Sequence, residues 1–274
     1  MSEIVSTNWL FNNLNKKNLV ILDCSFYLPF EKCNAKSEYL NRHIKNSFFF
    51  DIDLISDRNN PLPHMLPRAD KFEKEINKFG IKSNSIIIVY DTKGIFSSPR
   101  VWWMFKYFGH KKVYVLNGGL KKWLKEHKPV TNKKTKFKKG NFKSRILQNW
   151  LTDYKYILKN YKKNSIIILD ARSNNRYKGL EKEKRVGLKS GHIPNSYNIF
   201  WGNLINNKGL LIKKNNIKQI FKKTKNKKIV TSCGSGISAC ILSLSLLHTM
   251  NIESSVYDGS WSEWGSKKGL PINK

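Results

Sequence analysis

One cysteine stands where a chain would place a nucleophilic thiolate. Cys233 lies between an apolar strand and a Gly/Ser loop that leads into a predicted helix, in the run Val230-Thr231-Ser232-Cys233-Gly234-Ser235-Gly236-Ile237-Ser238-Ala239-Cys240. The backbone N–H groups of such a loop and the positive end of the helix dipole favour the anionic sulfur over the neutral thiol. The alternative is a small buried apolar cysteine beside a turn, which we rank second because a core cysteine needs no flexible loop after it.

Composition limits the kinds of protein that this chain can be. Its 274 residues, 40% of them hydrophobic, suffice for one large domain or two of ordinary size. Its four cysteines form no Cys-x-x-Cys pair and no set of metal-ligand spacings, so we expect no metal, no cofactor and no disulfide framework. The first residues show no basic region followed by an apolar run, and we therefore expect a cytoplasmic protein without a cleaved targeting peptide.

The net charge of +32, from 51 Lys and Arg against 19 Asp and Glu, would ordinarily indicate a nucleic acid or an anionic membrane as partner. The lysines, however, are scattered among asparagines and isoleucines, as in Asn132-Lys133-Lys134, and a bias toward A and T in the gene would produce the same enrichment. We expect no specific nucleic-acid partner and no membrane partner. The uncharged stretch 229–252 is interrupted by Cys-Gly-Ser-Gly, which favours a buried strand, loop and helix over a membrane span.

The chain repeats itself. Three patterns occur in both halves. They are a short apolar run that ends on aspartate, the order His-Ile-x-Asn-Ser, and an apolar run followed three residues later by Gly-Ile. The paired segments are 19–23 with 166–170, 43–47 with 192–196, 86–91 with 228–233, and 117–119 with 258–259. The repeat predicts two copies of one α/β unit, each a parallel sheet flanked by helices, with ligands at the carboxyl ends of the strands.

The two predicted copies differ at the reactive position. Asp91 occupies the place of Cys233 in the first copy, which predicts an inactive structural domain over residues 1–135. A lysine-rich linker is expected over 136–148 and a catalytic domain over 149–274. The active site should lie between the two domains.

Several motifs together resemble the two-domain rhodanese-like sulfurtransferases, particularly those that use 3-mercaptopyruvate. The loop from Cys233 to Ala239 is similar to the family's usual Cys-Gly-Ser-Gly-Val-Thr-Ala. The other matching segments are Phe50-Asp51-Ile52-Asp53, His64-Met65-Leu66-Pro67, Ser98-Pro99-Arg100-Val101-Trp102-Trp103-Met104, Gly191-His192-Ile193-Pro194 and Tyr257-Asp258-Gly259-Ser260-Trp261-Ser262-Glu263-Trp264-Gly265. The resemblance covers nearly the whole chain.

The resemblance implies transfer of sulfur from 3-mercaptopyruvate, through a Cys233 persulfide, to cyanide, a thiol or thioredoxin, with release of pyruvate. Thiosulfate:cyanide sulfur transfer is the alternative, but the loop has no basic residue between Cys233 and Cys240 to hold a compact dianion. A phosphatase with Cys-x5-Arg is disfavoured because Ala239 occupies the arginine position.

The resemblance also assigns site residues. Arg176 and Arg185 match the arginines that hold the donor's carboxylate and carbonyl, and Ser235, His64 and Asp53 match a proton relay. The loop residues Gly234, Gly236, Ile237 and Ser238 are expected to surround the substrate. We assign Arg172 to a structural ion pair or a strand-end hydrogen bond, and we prefer a buried structural role for Cys240 over a second redox role. We expect a monomer.

Overall fold

The computed structural model describes residues 2–28, 30–136, 139–224 and 227–274. Two five-stranded sheets dominate the described part of the chain, one in each half. Every pairing within them is parallel, which confirms the predicted α/β class with flanking helices. The four strands predicted from apolar runs form at Leu19–Asp23, Ile86–Tyr90, Ile166–Asp170 and Lys228–Ser232.

The strands number twelve in chain order within the described residues. They are β1 Ile4–Val5, β2 Leu19–Asp23, β3 His43–Ile44, β4 Ser47–Phe49, β5 Ile86–Tyr90, β6 Val113–Leu116, β7 Val130–Thr131, β8 Leu151–Thr152, β9 Ile166–Asp170, β10 Ser196–Asn198, β11 Lys228–Ser232 and β12 Ser255–Tyr257. The first sheet has the order β1-β6-β5-β2-β4, and the second has β8-β12-β11-β9-β10. Both orders are the same when equivalent strands are matched, so the sequence repeat is a repeat of topology.

The helices cover both sheets. They are α1 Thr7–Asn13, α2 Ala35–Asn41, α3 Ile52–Ile55, α4 Ala69–Asn77, α5 Ser98–Tyr107, α6 Gly119–Lys125, α7 Tyr154–Asn160, α8 Asn174–Tyr177, α9 Lys214–Ile220, α10 Ala239–Met250 and α11 Ser260–Trp264, with short 3-10 helices at Gln148–Trp150, Trp201–Leu204 and Lys222–Thr224. None of the helices in these described ranges is long and apolar enough to cross a membrane.

The His-Ile-x-Asn-Ser repeat has the same structure in both halves. His43 and His192 each stack on a tyrosine and bond its carbonyl oxygen through Nδ1. Both histidines also pair antiparallel with a later segment, His43 with Thr131 and His192 with Asn273. In each unit, the repeated histidine therefore joins an early segment to the segment near the end of that unit.

The two units meet through equivalent helices. Helix α5 of the first unit packs against α10 of the second, and one continuous apolar core includes Trp102 and Met104 of α5 with Leu244 of α10. Both helices follow the loops at the carboxyl ends of the central strands β5 and β11. The packing therefore brings the two loops to one interface, where burial of apolar side chains holds them.

The expected linker is packed rather than free over its described part. Phe142 is buried near Phe72, and the backbone N–H groups of Arg145 and Leu147 donate to carbonyls at the end of α5. Phe137 and Lys138 lie outside the described residues. The segment thus adds to the first unit's core before it enters β8.

Candidate active site

Cys233 follows directly on β11 and is 2% exposed. Its N–H donates to Ser260 Oγ at 3.1 Å and its carbonyl accepts the N–H of Trp261, so both backbone groups are fixed by α11. The residue faces a cavity of about 660 Å³ between the two units. The second unit's loop forms one wall of this cavity, and Leu28, Phe30 and Phe96 of the first unit contribute another.

The loop after Cys233 divides into residues that face the cavity and one that does not. Gly234, Ser235, Ile237 and Ser238 line the cavity. Gly236 is absent from this lining: with φ of +77° it turns its carbonyl toward Cys240 and Arg100. Gly236 therefore shapes the loop from behind, since its conformation is one that L side chains rarely adopt.

In the first unit, the loop after the central strand surrounds the carboxylate of Asp91 instead of a cysteine. Its Oδ2 accepts the N–H groups of Phe96 at 2.9 Å, Ser97 at 3.1 Å and Ser98 at 2.9 Å, and the Ser98 hydroxyl at 2.6 Å. The strand-to-helix loop thus wraps an anion. The chain's own carboxylate fills the cradle in the first unit.

The equivalent cradle in the second unit has free donors. Counting from Cys233, the positions of Phe96 and Ser97 are taken by Ser238 and Ala239. No backbone N–H of the described residues 234–239 donates a hydrogen bond within the chain. These groups, at the start of the twelve-residue helix α10, point to a site for negative charge beside the sulfur.

Arg185 lines the cavity and, like its neighbour Lys184, forms no ion pair with a carboxylate among the described residues. It belongs to the irregular segment after α8, and it lines the cavity with Arg176. Burial lowers the pKa of Arg185, while the nearby Cys233 opposes that effect. A half-buried guanidinium without a carboxylate is poised to bind an anion that enters the cavity.

Arg176 is held in a different way. Its Nη2 bonds Glu183 Oε2 at 2.5 Å, and the other oxygen of Glu183 bonds Arg172 at 2.8 Å. Arg172 in turn pairs with Asp170 at 2.6 Å and stacks on Trp261. Arg172 is therefore structural, as expected, and Glu183 fixes Arg176 next to Gly234, where an added Cβ would lie 3.3 Å from Nη2.

The three predicted relay residues are in contact in the order Asp53, His64, Ser235. His64 Nδ1 lies 3.0 Å from Ser235 Oγ, and His64 Nε2 lies 3.3 Å from Asp53 Oδ1. The imidazole is buried against Phe26, whereas the side chain of Asp53 is 66% exposed. The line crosses the interface, because Asp53 and His64 come from the first unit and Ser235 from the second.

The remaining cysteines lie away from this chemistry. Cys240 is buried on α10 and its Sγ donates to the Gly236 carbonyl, while burial raises its thiol pKa well above the usual range. Cys24 is buried in the first unit's core and Cys33 is exposed. Within the described residues, no group of His, Cys, Asp and Glu could hold a metal ion.

Sequence reasoning missed three residues near the site, namely Arg100, Asp258 and Glu183. Arg100 had a usable signal, since it is a charge inside the apolar start of α5 and so demands a buried partner. Asp258 also had one, because it follows β12 as Asp23 and Asp170 end their strands. Glu183 had none, because it lies in the run Glu181-Lys182-Glu183-Lys184 with no periodicity to distinguish it from a solvated charge.

Comparison with known proteins agrees with this architecture. The family model described as "Rhodanese-like domain" matches twice, over residues 6–126 and 153–267. A mouse 3-mercaptopyruvate sulfurtransferase is 36% identical over 95% of this chain and 91% of its own length. A thiosulfate/3-mercaptopyruvate sulfurtransferase from Arabidopsis thaliana, named as mitochondrial, is 36% identical over 98% of this chain and 77% of its own.

A solved structure gives the same result. The crystal structure of SseA from Escherichia coli, described among 3-mercaptopyruvate sulfotransferases, superposes with a TM-score of 0.86 and is 32% identical. The match covers 95% of this chain and 99% of that one. The resemblance drawn from the motifs is thus confirmed, and this chain belongs to the rhodanese-like sulfurtransferase family, with two rhodanese-like domains.

Proposed function

We propose that the protein transfers sulfur from 3-mercaptopyruvate through a persulfide on Cys233 and releases pyruvate. The observation that carries the proposal is the pair of cradles. The terminal oxygen of Asp91 is two bonds from Cβ, and the outer sulfur of a Cys233 persulfide is also two bonds from Cβ. Asp91 therefore resembles a persulfide anion in shape and charge, and its N–H donors at Phe96 and Ser97 support the proposal that the equivalent N–H groups of Ser238 and Ala239 bind the outer sulfur.

In the first step, the Cys233 thiolate attacks the sulfur of 3-mercaptopyruvate. An S–S bond forms, the C–S bond breaks, and its electron pair leaves on carbon as the enolate of pyruvate. The enolate takes one proton to become pyruvate. Breaking the C–S bond is favoured because the adjacent ketone delocalises the leaving charge, which a cation at the carbonyl would stabilise further.

Two guanidiniums are proposed to orient the donor. Arg185 binds the donor's carboxylate and carbonyl because no described acid competes for it. Arg176 adds a second donor from a position that Glu183 keeps fixed. This division suits 3-mercaptopyruvate, whose charge lies away from the transferred sulfur, while the neutral cavity-lining residues Gly234, Ile237 and Ser238 surround the sulfur itself.

The relay of Asp53, His64 and Ser235 is proposed to manage the proton. The 3.0 Å contact between Ser235 and His64 lets the imidazole exchange a proton with the hydroxyl that lines the cavity. Asp53 orients the ring through Nε2, as a third member does in a hydrolase triad. The same path would protonate the enolate and reset the thiolate.

In the second step, an acceptor attacks the outer sulfur and the S–S bond returns its electron pair to Cys233. Cyanide leaves as thiocyanate, and a thiolate leaves as its own persulfide. The cavity is lined by residues of both units, and its volume of about 660 Å³ has room for small acceptors. Thioredoxin remains a proposed protein acceptor.

Thiosulfate is the second candidate donor. It is favoured by the cavity-lining Lys184 beside Arg185, because two neighbouring cations could hold a dianion. The name of the Arabidopsis relative also includes thiosulfate. A higher kcat/KM for thiosulfate would mean that the cations of the cavity wall set the donor preference. A higher kcat/KM for 3-mercaptopyruvate would mean that the neutral loop sets it.

The test compares the two donors in wild type and in Cys233→Ser. Pyruvate release from 3-mercaptopyruvate with a thiol acceptor is measured against thiocyanate formation from thiosulfate and cyanide. We expect a higher kcat/KM for 3-mercaptopyruvate and loss of both activities in Cys233→Ser. Mass spectrometry of the donor-treated protein without acceptor should show one added sulfur on Cys233. Wild-type activity in Cys233→Ser would refute the proposal.

We also propose that the protein is a cytosolic monomer, with an N-terminal domain over 1–135, a linker over 136–148 and a catalytic domain over 149–274. The four free cysteines support a reducing compartment. Because the Arabidopsis relative is named as mitochondrial, cell fractionation should assay both compartments, and enrichment in mitochondria would contradict the location. Sedimentation would test the monomer, and limited proteolysis within 136–148 would test the boundaries.

A further inference from the structure

A fully buried guanidinium lies at the interface between the two domains. Arg100, in the first turn of α5, is 0% exposed and is surrounded by apolar neighbours on its helix such as Val101 and Trp102. Its guanidinium also stacks on Trp103, with 4.6 Å from Cζ to the ring. Burying such a charge costs several kcal/mol unless partners meet it, so the positions of those partners are tightly constrained.

The partners of Arg100 belong to both domains. Nη1 forms an ion pair with Asp258 Oδ1 at 2.6 Å and donates to the Gly236 carbonyl at 3.4 Å, both in the second domain. Nη2 donates to the carbonyl of His64, in the first domain. The other carboxylate oxygen, Asp258 Oδ2, accepts a hydrogen bond from the N–H of Leu66 in the first domain at 2.7 Å.

These contacts involve the backbone of the relay residue His64 and of residues close to the relay in the sequence. Arg100 and Asp258 hold the backbone of His64 and of Leu66, two residues on, while the carbonyl of Gly236 directly follows Ser235. His64 itself has φ of +61°, an uncommon conformation for a residue with a side chain, so its backbone needs outside support. The 3.0 Å contact between His64 and Ser235 spans the interface that this ion pair closes.

We propose that Arg100 and Asp258 are positioning residues for the reaction. They fix the register between the His64 imidazole and the Ser235 hydroxyl across the domain interface. The inference rests on the proposed function, because it gives the ion pair its role through the relay. It places the decisive contact at the back of the loop, on the side away from the substrate cavity.

A role in stability alone makes different predictions. Replacing a buried ion pair by apolar residues of similar volume is often neutral or stabilising, so Arg100→Met with Asp258→Leu is expected to fold. If the pair served stability only, this double variant would keep wild-type activity. Arg100→Lys retains the charge but cannot present the planar fork that reaches His64, Gly236 and Asp258 together.

The experiment measures kcat and KM for pyruvate release in Arg100→Lys, His64→Ala, the combination of these two, and the Arg100→Met/Asp258→Leu variant. Melting temperatures are recorded for all. We expect Arg100→Lys to lower kcat between about 10-fold and 100-fold with little change in KM, as a displaced proton relay should. In the His64→Ala background the same substitution should cost no further activity. Arg100→Met/Asp258→Leu should fold and stay slow.

Several results would overturn the inference. Losses from Arg100→Lys and His64→Ala that multiply would mean that Arg100 does not act through His64. Wild-type activity in Arg100→Met/Asp258→Leu would reduce the pair to a structural role. If that variant does not fold, the Arg100→Lys and His64→Ala comparison decides alone. Failure of the proposed function is seen separately, as absence of pyruvate release in wild type or as full activity in His64→Ala, and either would also remove the inference.

Discussion

Replacing Asp23 by asparagine should stabilise the protein above pH 7. Asp23 ends β2 and is 1% exposed, and its Oδ1 accepts the N–H and hydroxyl of Ser25. Its counterpart Asp170 faces the guanidinium of Arg172, whose place in the first domain Ser25 takes. Asp23 is therefore a buried carboxylate that has no cationic partner within the described part of the chain.

The magnitude follows from the pKa of Asp23. Burial raises it from 3.8 to about 6, against the opposing effect of the Ser25 hydrogen bonds. Each pKa unit corresponds to about 1.4 kcal/mol, so ionised Asp23 costs the folded state about 3 kcal/mol. Since the folded pKa lies above the unfolded one, this cost is absent below about pH 4, grows through pH 6 and is complete above pH 7.

Urea unfolding of wild type and Asp23→Asn from pH 4 to pH 8 measures this difference. We expect the gain in free energy of unfolding to rise from near zero at pH 4 to about 3 kcal/mol at pH 8, because asparagine keeps the acceptor for Ser25 and carries no charge. The matched control is Asp170→Asn, which leaves Arg172 with one carboxylate fewer and should destabilise at neutral pH. A gain that does not depend on pH, or a loss at pH 8, would refute the reasoning.

Three further predictions concern the loops and the arginines. Gly236→Ala should lower kcat at least about 100-fold without unfolding the protein, because the new Cβ would lie 2.9 Å from Arg100 Nη1 at φ +77° and must displace the loop. Steady-state assays of pyruvate release measure this effect, and an unchanged kcat would contradict it. Asp91→Ala should lower the free energy of unfolding by about 2–4 kcal/mol, since the donors around its Oδ2 lose their acceptor. Urea unfolding measures this loss, and an unaltered free energy of unfolding would show that water replaces the carboxylate. Glu183→Gln should raise KM for 3-mercaptopyruvate about 10-fold, because Arg176 loses the charge that fixes it; a lower KM would mean instead that Glu183 competes with the donor.

The repeat, the class of fold and the position of the candidate nucleophile Cys233 can all be predicted from the amino-acid sequence. Short apolar runs that end on aspartate are typical of buried parallel strands, because runs of five residues are shorter than an ordinary helix. The runs at 19–23 and 166–170 became β2 and β9 without change of boundary. The Gly/Ser loop after Cys233 was equally legible, because a strand, a loop and a helix are local features.

The pairing of charged side chains, in contrast, becomes visible in the folded chain alone. The ion pair of Arg100 and Asp258 joins residues 158 positions apart in the chain, and Glu183 looks like any solvated charge until the fold buries its side chain to 1% exposure. That no described cation lies beside Asp23 likewise depends on packing, because the sequence shows Ser25 in place of Arg172 but not which side chains surround Asp23. Electrostatic energy depends on distance and desolvation, and both are set by long-range packing that local sequence does not encode.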